Sequence, residues 1–324
     1  MTGPTPQPQL IQITHDPVNS LPSGRPFPVR WVAAGDAGVD DVARGVINWE
    51  YYEGAIVTVG ITDGDTYRVW GSGVTVAPGP VLTAKHVVVD DYEALRARKL
   101  SLYCLGFRSS GKADLWVMRS MSFPANNSDI AFLGVELSSE VHEDWYVSCM
   151  PVSLRTPRQH ETLTLVGYVF DNPEANPVPP VKGVPVVGGT GGMFAAKGQV
   201  EDIYFPVVND GELNYPGIQI SCGAFGGMSG GAVLDDSGAL VGLISWGTDP
   251  TPGAGFHIAA WIVGALPFEV TLPWPAGTYE PDTPILKLPE DKLKIIGRET
   301  VNWNAKHDID FVWDRWEAEE FDGH

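Results

Sequence analysis

The sequence predicts an all-β protein built from barrels. From about Tyr51 onward, short runs rich in β-branched and aromatic residues recur at modest spacing, with glycine, proline and aspartate between them. The chain of 324 residues contains 37 glycines and 27 prolines, which favours many turns over βαβ units. The predicted strands are 55–61, 102–107, 115–117, 162–170, 217–221 and 239–246.

Composition indicates an acidic globular protein. The sequence contains 40 acidic residues against 21 lysines and arginines, which gives a formal net charge of −19. Such a surface repels nucleic acid and anionic membranes, so we expect neither as a partner. The sequence has no apolar run of membrane-spanning length, and its start lacks the basic and apolar segments of a signal peptide. We therefore expect a cytoplasmic location.

The three cysteines, Cys104, Cys149 and Cys222, do not resemble a disulfide framework. Their number is odd, and free cysteine is among the most buried residue types, so we expect all three to be small buried hydrophobic residues. No spacing typical of metal ligands occurs in the sequence. We expect neither a metal nor an organic cofactor.

Three motifs supply the residue types of a serine nucleophile site in the order His, Asp, Ser. A motif at 83–86 ends in His86, a second contains Asp129, and a glycine-rich stretch contains Ser229. A serine hydroxyl needs a neighbouring base to remove its proton, and neutral imidazole titrates near the working pH. A carboxylate then orients the ring and stabilises the imidazolium. These residues form a candidate catalytic triad.

The glycines around Ser229 indicate an oxyanion hole made of backbone donors. They allow a tight turn, and they place the candidate donors at the N–H groups of Gly227 and Ser229. The pattern Gly-x-Ser-x-Gly also occurs in the nucleophile elbow of α/β-hydrolases. In an elbow, however, a helix follows the serine and the acid and histidine come later in the chain. Here residues 232–246 resemble strand, turn and strand, so the elbow is disfavoured.

Beyond single motifs, roughly residues 46–270 resemble the trypsin/chymotrypsin-like serine peptidases. The bacterial branch, with glutamyl endopeptidases and HtrA-type proteases, is the more similar one. The resemblance implies two six-stranded antiparallel β-barrels that meet near residues 145–160, with the triad at their interface. It also implies a short closing helix at 259–266. The runs that carry the resemblance are 71–76, 81–88, 127–132, 226–233 and 241–247.

The residue before the nucleophile departs from the animal members of this family. Zymogen-activated members have an aspartate there that pairs with a newly cut N-terminus, whereas this chain has Met228. We therefore expect activity without cleavage at the N-terminus.

The resemblance also places a primary specificity pocket in three separated segments. No acidic residue occupies the floor, so a preference for Lys or Arg is not expected, and glycines in the walls leave room for an apolar side chain. A histidine at position 257 keeps an acidic preference open, because it could hydrogen-bond a carboxylate if it faces the pocket. The predicted substrate-binding residues are Gly223, Ala224, Phe225, Ser245, Trp246, Gly247, Gly255 and His257.

Two extensions flank the predicted peptidase domain. Residues 1–45 form a proline-rich N-terminal arm, with seven prolines in the first 30 residues. Residues 271–324 begin proline-rich and end with seven acids against one base between 308 and 324, interleaved with aromatic residues. Large aromatic side chains are costly to leave in water, so we expect this extension to be an interaction or regulatory element outside the catalytic fold.

The sequence thus predicts a serine endopeptidase that cleaves proteins through an acyl-enzyme intermediate and is open to regulation by a protein partner at residues 271–324. Two alternatives stay open. One is a binding or scaffolding protein with the protease fold and weak catalysis. The other is an esterase that uses the same site.

Overall fold

The computed structural model is almost entirely β-structure in the part of the chain that it describes. The helices there are α1 (Lys85–Val88), α2 (Tyr92–Arg96) and 3-10 turns at Trp49–Tyr51, Ile262–Gly264, Ile285–Lys287 and Arg298–Thr300. The described residues are 28–32, 44–46, 49–63, 67–124, 128–139, 145–170, 178–181, 184–186, 191–205, 214–250, 253–303 and 309–311.

The strands follow one another through both halves of the chain. Those of the first half are β1 (Val29–Trp31), β2 (Arg44–Gly45), β3 (Ile56–Thr62), β4 (Tyr67–Thr75), β5 (Pro80–Thr83), β6 (Ser101–Phe107), β7 (Ala113–Ser122), β8 (Ala131–Leu137), β9 (Val147–Cys149) and β10 (Val152–Ser153). Those of the second half are β11 (Thr162–Phe170), β12 (Val178–Val181), β13 (Val184–Val186), β14 (Gly191–Tyr204), β15 (Gly217–Ile220), β16 (Ala232–Leu234), β17 (Leu240–Gly247), β18 (His257–Trp261), β19 (Glu269–Val270), β20 (Thr283–Pro284), β21 (Ile295–Ile296), β22 (Val301–Trp303) and β23 (Ile309–Phe311).

The first barrel closes in the order β3-β4-β5-β8-β7-β6. All seven residues of β3 are buried. Side chains alternate between the two faces of a strand, so Val57, Val59 and Ile61 join one apolar cluster while Ile56 packs in the other. Both faces of β3 are therefore packed against apolar side chains.

The second barrel is also a closed ring of six strands. Its order is β16-β11-β14-β15-β18-β17, and the pairing of β16 with β17 completes the ring. Short strands β9 and β10 lie in sequence between the two barrels, after β8 ends at Leu137 and before β11 begins at Thr162. The predicted all-β, double-barrel fold is confirmed.

The predicted closing helix at 259–266 is a strand end followed by one 3-10 turn. Ala259 and Ala260 pair with β15 on one side and β17 on the other. Their backbone hydrogen bonds are used in the sheet, so helix can begin only after Trp261, and it lasts from Ile262 to Gly264. Pairing on both sides overrides the helical preference of alanine.

The C-terminal extension was expected to lie outside the catalytic fold, but residues 271–297 pack against both barrels. Trp274 is 5% exposed, and its ring meets that of Trp116 on β7 with centroids 5.3 Å apart. Further along, Ile285 lies in the apolar cluster that contains the buried residues of the second barrel and part of the first, and β21 pairs with β10. Burial of these side chains makes the segment part of the folded domain. The side chains of the acidic end at 308–324 lie outside the described residues.

Replacing Trp274 with alanine is expected to lower the free energy of unfolding by about 3–5 kcal/mol, because the buried indole leaves a cavity against Trp116. Urea denaturation measures this loss. Trp70, which is 47% exposed, provides the matched control, and its replacement by alanine should cost far less. Equal losses for the two variants would show that residues 271–297 add nothing to the core.

Parts of the predicted N-terminal arm also join the sheets. Strand β1 runs parallel to β9, with Val29 opposite Val147, and β2 pairs with β14. All three cysteines are buried and free, as predicted. No helix among the described residues is long and apolar enough to cross a membrane.

Candidate active site

His86 and Asp129 meet at the edge of the first barrel. His86 lies on the single turn of α1, directly after β5, and Asp129 lies just before β8, which pairs with β5. The His86 Nδ1 is 2.8 Å from Asp129 Oδ2, and the backbone N–H of His86 donates to Oδ1 at 3.0 Å. The N–H of Lys85 also donates to the Asp129 carbonyl, at 3.2 Å. These contacts fix the ring and leave Nε2 free of the carboxylate.

A second-barrel residue completes the environment of the carboxylate. The hydroxyl of Ser245 on β17 donates a short hydrogen bond to Asp129 Oδ2. The Ser245 Oγ is also 2.7 Å from the hydroxyl of buried Tyr215. Because Ser245 belongs to the second barrel, the carboxylate of Asp129 is held between the two barrels.

The hydrogen bond to Asp129, together with the charge of that carboxylate, raises the pKa of His86 above its ordinary value. Burial by itself would lower that pKa. The hydrogen bond and the negative charge of Asp129, with a smaller contribution from Asp90, outweigh burial because they favour the imidazolium. The raised pKa makes His86 a stronger base when a proton must be taken from a serine.

Activity is expected to fall as the pH drops through the pKa of His86, since only the neutral ring accepts a proton. The midpoint of log(kcat/KM) against pH should lie above 6.5, the ordinary pKa of histidine. The same pair stabilises the fold fully below pH 6.5, and that contribution is lost as pH rises through the raised folded-state pKa. Initial rates between pH 5 and 9 test the prediction, and a midpoint below the ordinary value would contradict it.

Residues 226–231, called here the serine loop, lie against the histidine segment. A Cβ on Gly71 of β4 would lie 2.7 Å from the Ser229 carbonyl oxygen and 2.9 Å from a methyl of Val87, next to His86. Gly230 has φ +81° and approaches Ala84 so closely that a Cβ would lie 2.8 Å from its nitrogen. Glycine is required at both positions, at the first for space and at the second for space and backbone angle. The serine loop and the residues on either side of His86 therefore lie beside each other, with the Ser229 carbonyl and Val87 both next to Gly71.

The two candidate oxyanion donors are uncommitted in the part of the chain that the structure describes. There, neither the N–H of Gly227 nor that of Ser229 donates a backbone hydrogen bond, whereas the N–H of Met228 between them donates to the Phe225 carbonyl at 3.1 Å. Backbone donors without a partner at a turn can bind an anionic oxygen.

The family follows from a comparison with protein-family models. The model described as a trypsin-like peptidase domain matches residues 71–243, more than half of the chain. The chain belongs to the trypsin-like peptidase domain family. Its matched region contains the histidine motif, the Asp129 motif and the serine loop.

Other comparisons add less. Among solved structures, the peptidase domain is similar to neuropsin, a serine protease expressed in the limbic system of mouse brain. The identity is 15%, the TM-score is 0.45, and the match covers 68% of this chain and 94% of that chain. Comparison with curated protein sequences found no match. The closer resemblance to the bacterial branch stays a prediction.

The residues expected to form the specificity pocket of this peptidase domain lie together. A Cβ on Gly255 would lie 2.5 Å from the Gly223 nitrogen, so the floor and one wall are in contact. The Ala224 N–H donates to the Thr248 carbonyl at 3.2 Å, which joins the floor to the other wall. Trp246 is 45% exposed. Two ring pairs also join these segments, Trp246 with Phe256 and Phe225 with Phe194.

His257 is a buried histidine at the start of β18. Its Nε2 accepts the Ser245 N–H at 2.9 Å, and its Nδ1 faces Gly247, where a Cβ would lie 2.5 Å away. Burial, together with the charge of His86, lowers the pKa of His257 to about 3. The ring is therefore neutral at physiological pH and offers no positive charge to a carboxylate.

Sequence reasoning missed two residues that hold the site. Tyr215 contacts Ser245, and the hydroxyl of buried Ser72 on β4 donates to the Gly227 carbonyl at 3.0 Å. Tyr215 stands in no recognised motif. Ser72 was inside a recognised run, between Gly71 and Gly73, but the contact of its side chain with a loop 155 residues away depends on how the barrels pack.

Proposed function

We propose that this protein is a serine endopeptidase with His86, Asp129 and Ser229 as its catalytic triad. The observation that carries the proposal is the 2.8 Å contact of His86 Nδ1 with Asp129 at the place where the serine loop packs on β4 and Ala84. Membership in the trypsin-like peptidase domain family supports the same reaction.

The proposed reaction uses only side chains and backbone groups of the site. The Ser229 hydroxyl oxygen attacks the carbonyl carbon of the scissile peptide, and His86 Nε2 takes the hydroxyl proton. The negative oxygen of the tetrahedral intermediate is bound by the N–H groups of Gly227 and Ser229. The protonated His86 then gives its proton to the leaving amine, and the acyl-enzyme forms. A water molecule, deprotonated by His86, then attacks the acyl carbon, the ester bond to Ser229 breaks to release the acid, and His86 returns the proton to the Ser229 oxygen.

The site is proposed to work without a cut at the N-terminus. Met228 is fully buried, and a Cβ on Gly167 of β11 would lie 2.9 Å from its Cα. The loop is further held by hydrogen bonds from the Gly231 N–H to the Met228 carbonyl and from the Gly230 N–H to the Ile244 carbonyl, at 2.8 and 2.7 Å. These contacts supply the order that a new N-terminus gives in zymogen-activated members of the family.

An uncharged, preferably apolar residue is proposed to precede the cut. The predicted floor at 223–225 has no acid to balance Lys or Arg, and neutral His257 has no charge to balance Glu or Asp. An unpaired buried charge is costly, so charged side chains are disfavoured. A profile dominated by Glu, and lost in His257→Ala, would establish the acidic alternative instead.

One experiment separates the proposed function from its alternatives. The full-length protein and Ser229→Ala are incubated with a fluorophosphonate probe and, separately, with a proteome whose new N-termini are then sequenced. Labelling of Ser229 with new N-termini that depend on Ser229 supports an endopeptidase. Labelling with ester turnover but without peptide cleavage supports an esterase. The absence of both labelling and cleavage supports a scaffold.

The location and the partners of the protein stay predictions. A cytoplasmic site and the exclusion of nucleic acid and membrane rest on composition alone. A regulatory protein partner is now proposed for the acidic end at 308–324 instead of the whole extension, because residues 271–297 pack on the barrels.

A further inference from the structure

Ser72 links the serine loop to both barrels. It lies on β4 in the first barrel and is fully buried. Its hydroxyl donates to the Gly227 carbonyl at 3.0 Å and accepts the Tyr168 N–H of β11 at 2.8 Å. The donor and one acceptor position of the hydroxyl therefore have a partner.

The backbone of Ser72 is tied in the same way. Its N–H donates to the Ser229 carbonyl at 2.8 Å, and its carbonyl accepts the hydroxyl of Thr83 at 2.7 Å. One residue thus contacts both Gly227 and Ser229, the two residues whose N–H groups are the candidate oxyanion donors. It also joins them to β5, the strand that leads directly into His86.

The hydrogen bond to Gly227 restrains the most adaptable residue of the loop. Gly227 has φ +92°, in the region that glycine enters at little cost, and glycine can leave that region equally easily. The direction of the Gly227 carbonyl depends on its backbone angles, and those angles also orient the loop that carries the two N–H groups. Preorganised donors stabilise an oxyanion far better than donors that must first be oriented.

We propose that Ser72 is a positioning residue whose hydroxyl fixes the Gly227 carbonyl and so holds the oxyanion hole in its donating geometry. The inference rests on the proposed function, because it assumes that Gly227 and Ser229 bind the oxygen of a tetrahedral intermediate. Ser72 itself touches neither substrate nor the reacting atoms. Its effect should therefore appear in turnover and leave substrate binding and the base unchanged.

The test is Ser72→Ala, assayed with a peptide substrate that the wild type cleaves. We expect kcat to fall about 10- to 100-fold, which is no more than the effect of removing one oxyanion-hole donor altogether. KM should stay within a factor of about two of the wild-type value. The apparent pKa of His86 in the pH profile should not change. A peptidyl boronate, whose adduct places an oxygen in the hole, should lose affinity by the same factor as kcat/KM.

The matched control is Ser139→Ala. Ser139 is another buried serine of the first barrel, and its hydroxyl accepts the Leu115 N–H at 3.1 Å without contact to the serine loop. The Ser139→Ala variant should have a lower melting temperature than the wild type and an unchanged kcat. If Ser72→Ala does not fold, Ser72→Cys, which keeps a weak donor at this position, should show a smaller loss of kcat at unchanged KM.

Three outcomes are distinguishable. A wild-type kcat in Ser72→Ala, or in Ser72→Cys where only that variant folds, overturns the inference while the proposed function stands. A comparable kcat loss in Ser139→Ala also overturns it, because loss of any buried hydroxyl would then suffice. A wild type that neither labels at Ser229 nor cleaves peptide overturns the proposed function and the inference with it.

Discussion

Replacing Ser229 with alanine is expected to lower kcat for peptide cleavage by about 10⁶, because the attacking oxygen is lost. His86→Ala should cost about as much, and the double variant should be no worse than either single one. The effects on kcat of replacing residues that act in the same step are not additive. Single-turnover and steady-state rates of the three variants, purified apart from any host protease, measure the effect.

The Ser229→Ala variant needs a control for folding. Serine and alanine differ by one oxygen atom, so we expect an unchanged melting temperature and an unchanged KM where binding can still be measured. Trp70→Ala, at an exposed position of the first barrel, is the control variant. Purified in the same way, it should have the kcat of the wild type. Near-normal cleavage by Ser229→Ala would show that the proposed mechanism is wrong.

Replacing Asp129 with asparagine is expected to lower kcat by about 10⁴ near neutral pH. The carboxylate accepts hydrogen bonds from both the ring and the backbone N–H of His86. An amide in its place can donate to Nδ1, and this would leave the proton on Nε2, the atom that must take the proton of Ser229. The position of the His86 ring can stay the same in Asp129→Asn, while its proton lies on the wrong nitrogen.

Two further measurements test the role of Asp129. The apparent pKa of His86 should fall in Asp129→Asn, because the hydrogen bond and charge that raise it are removed. Glu136→Gln provides a control carboxylate, since Glu136 pairs with Arg119 at an exposed site. A kcat in Asp129→Asn equal to that of the control would exclude Asp129 from the triad.

The sequence by itself predicted much of the fold because strands and turns leave local signals. Short runs rich in β-branched and aromatic residues, separated by glycine, proline and aspartate, predicted the six strand segments, and each lies in or overlaps a strand of the structure. The histidine, aspartate and serine motifs were recognisable for the same reason, since each depends on residues adjacent in the chain. The burial of all three cysteines also followed from residue type.

Only the tertiary structure decided the features that depend on residues far apart in sequence. The segment at 259–261 is a strand because β15 and β17 pair on either side of it, and residues 271–297 belong to the domain because Trp274 and Ile285 find buried sites on the barrels. His257 is neutral because the fold buries it near His86. Ser72 reaches Gly227 across 155 residues of chain. Local patterns do not encode such contacts, since their free energy arises only when segments far apart in the sequence come together in the fold.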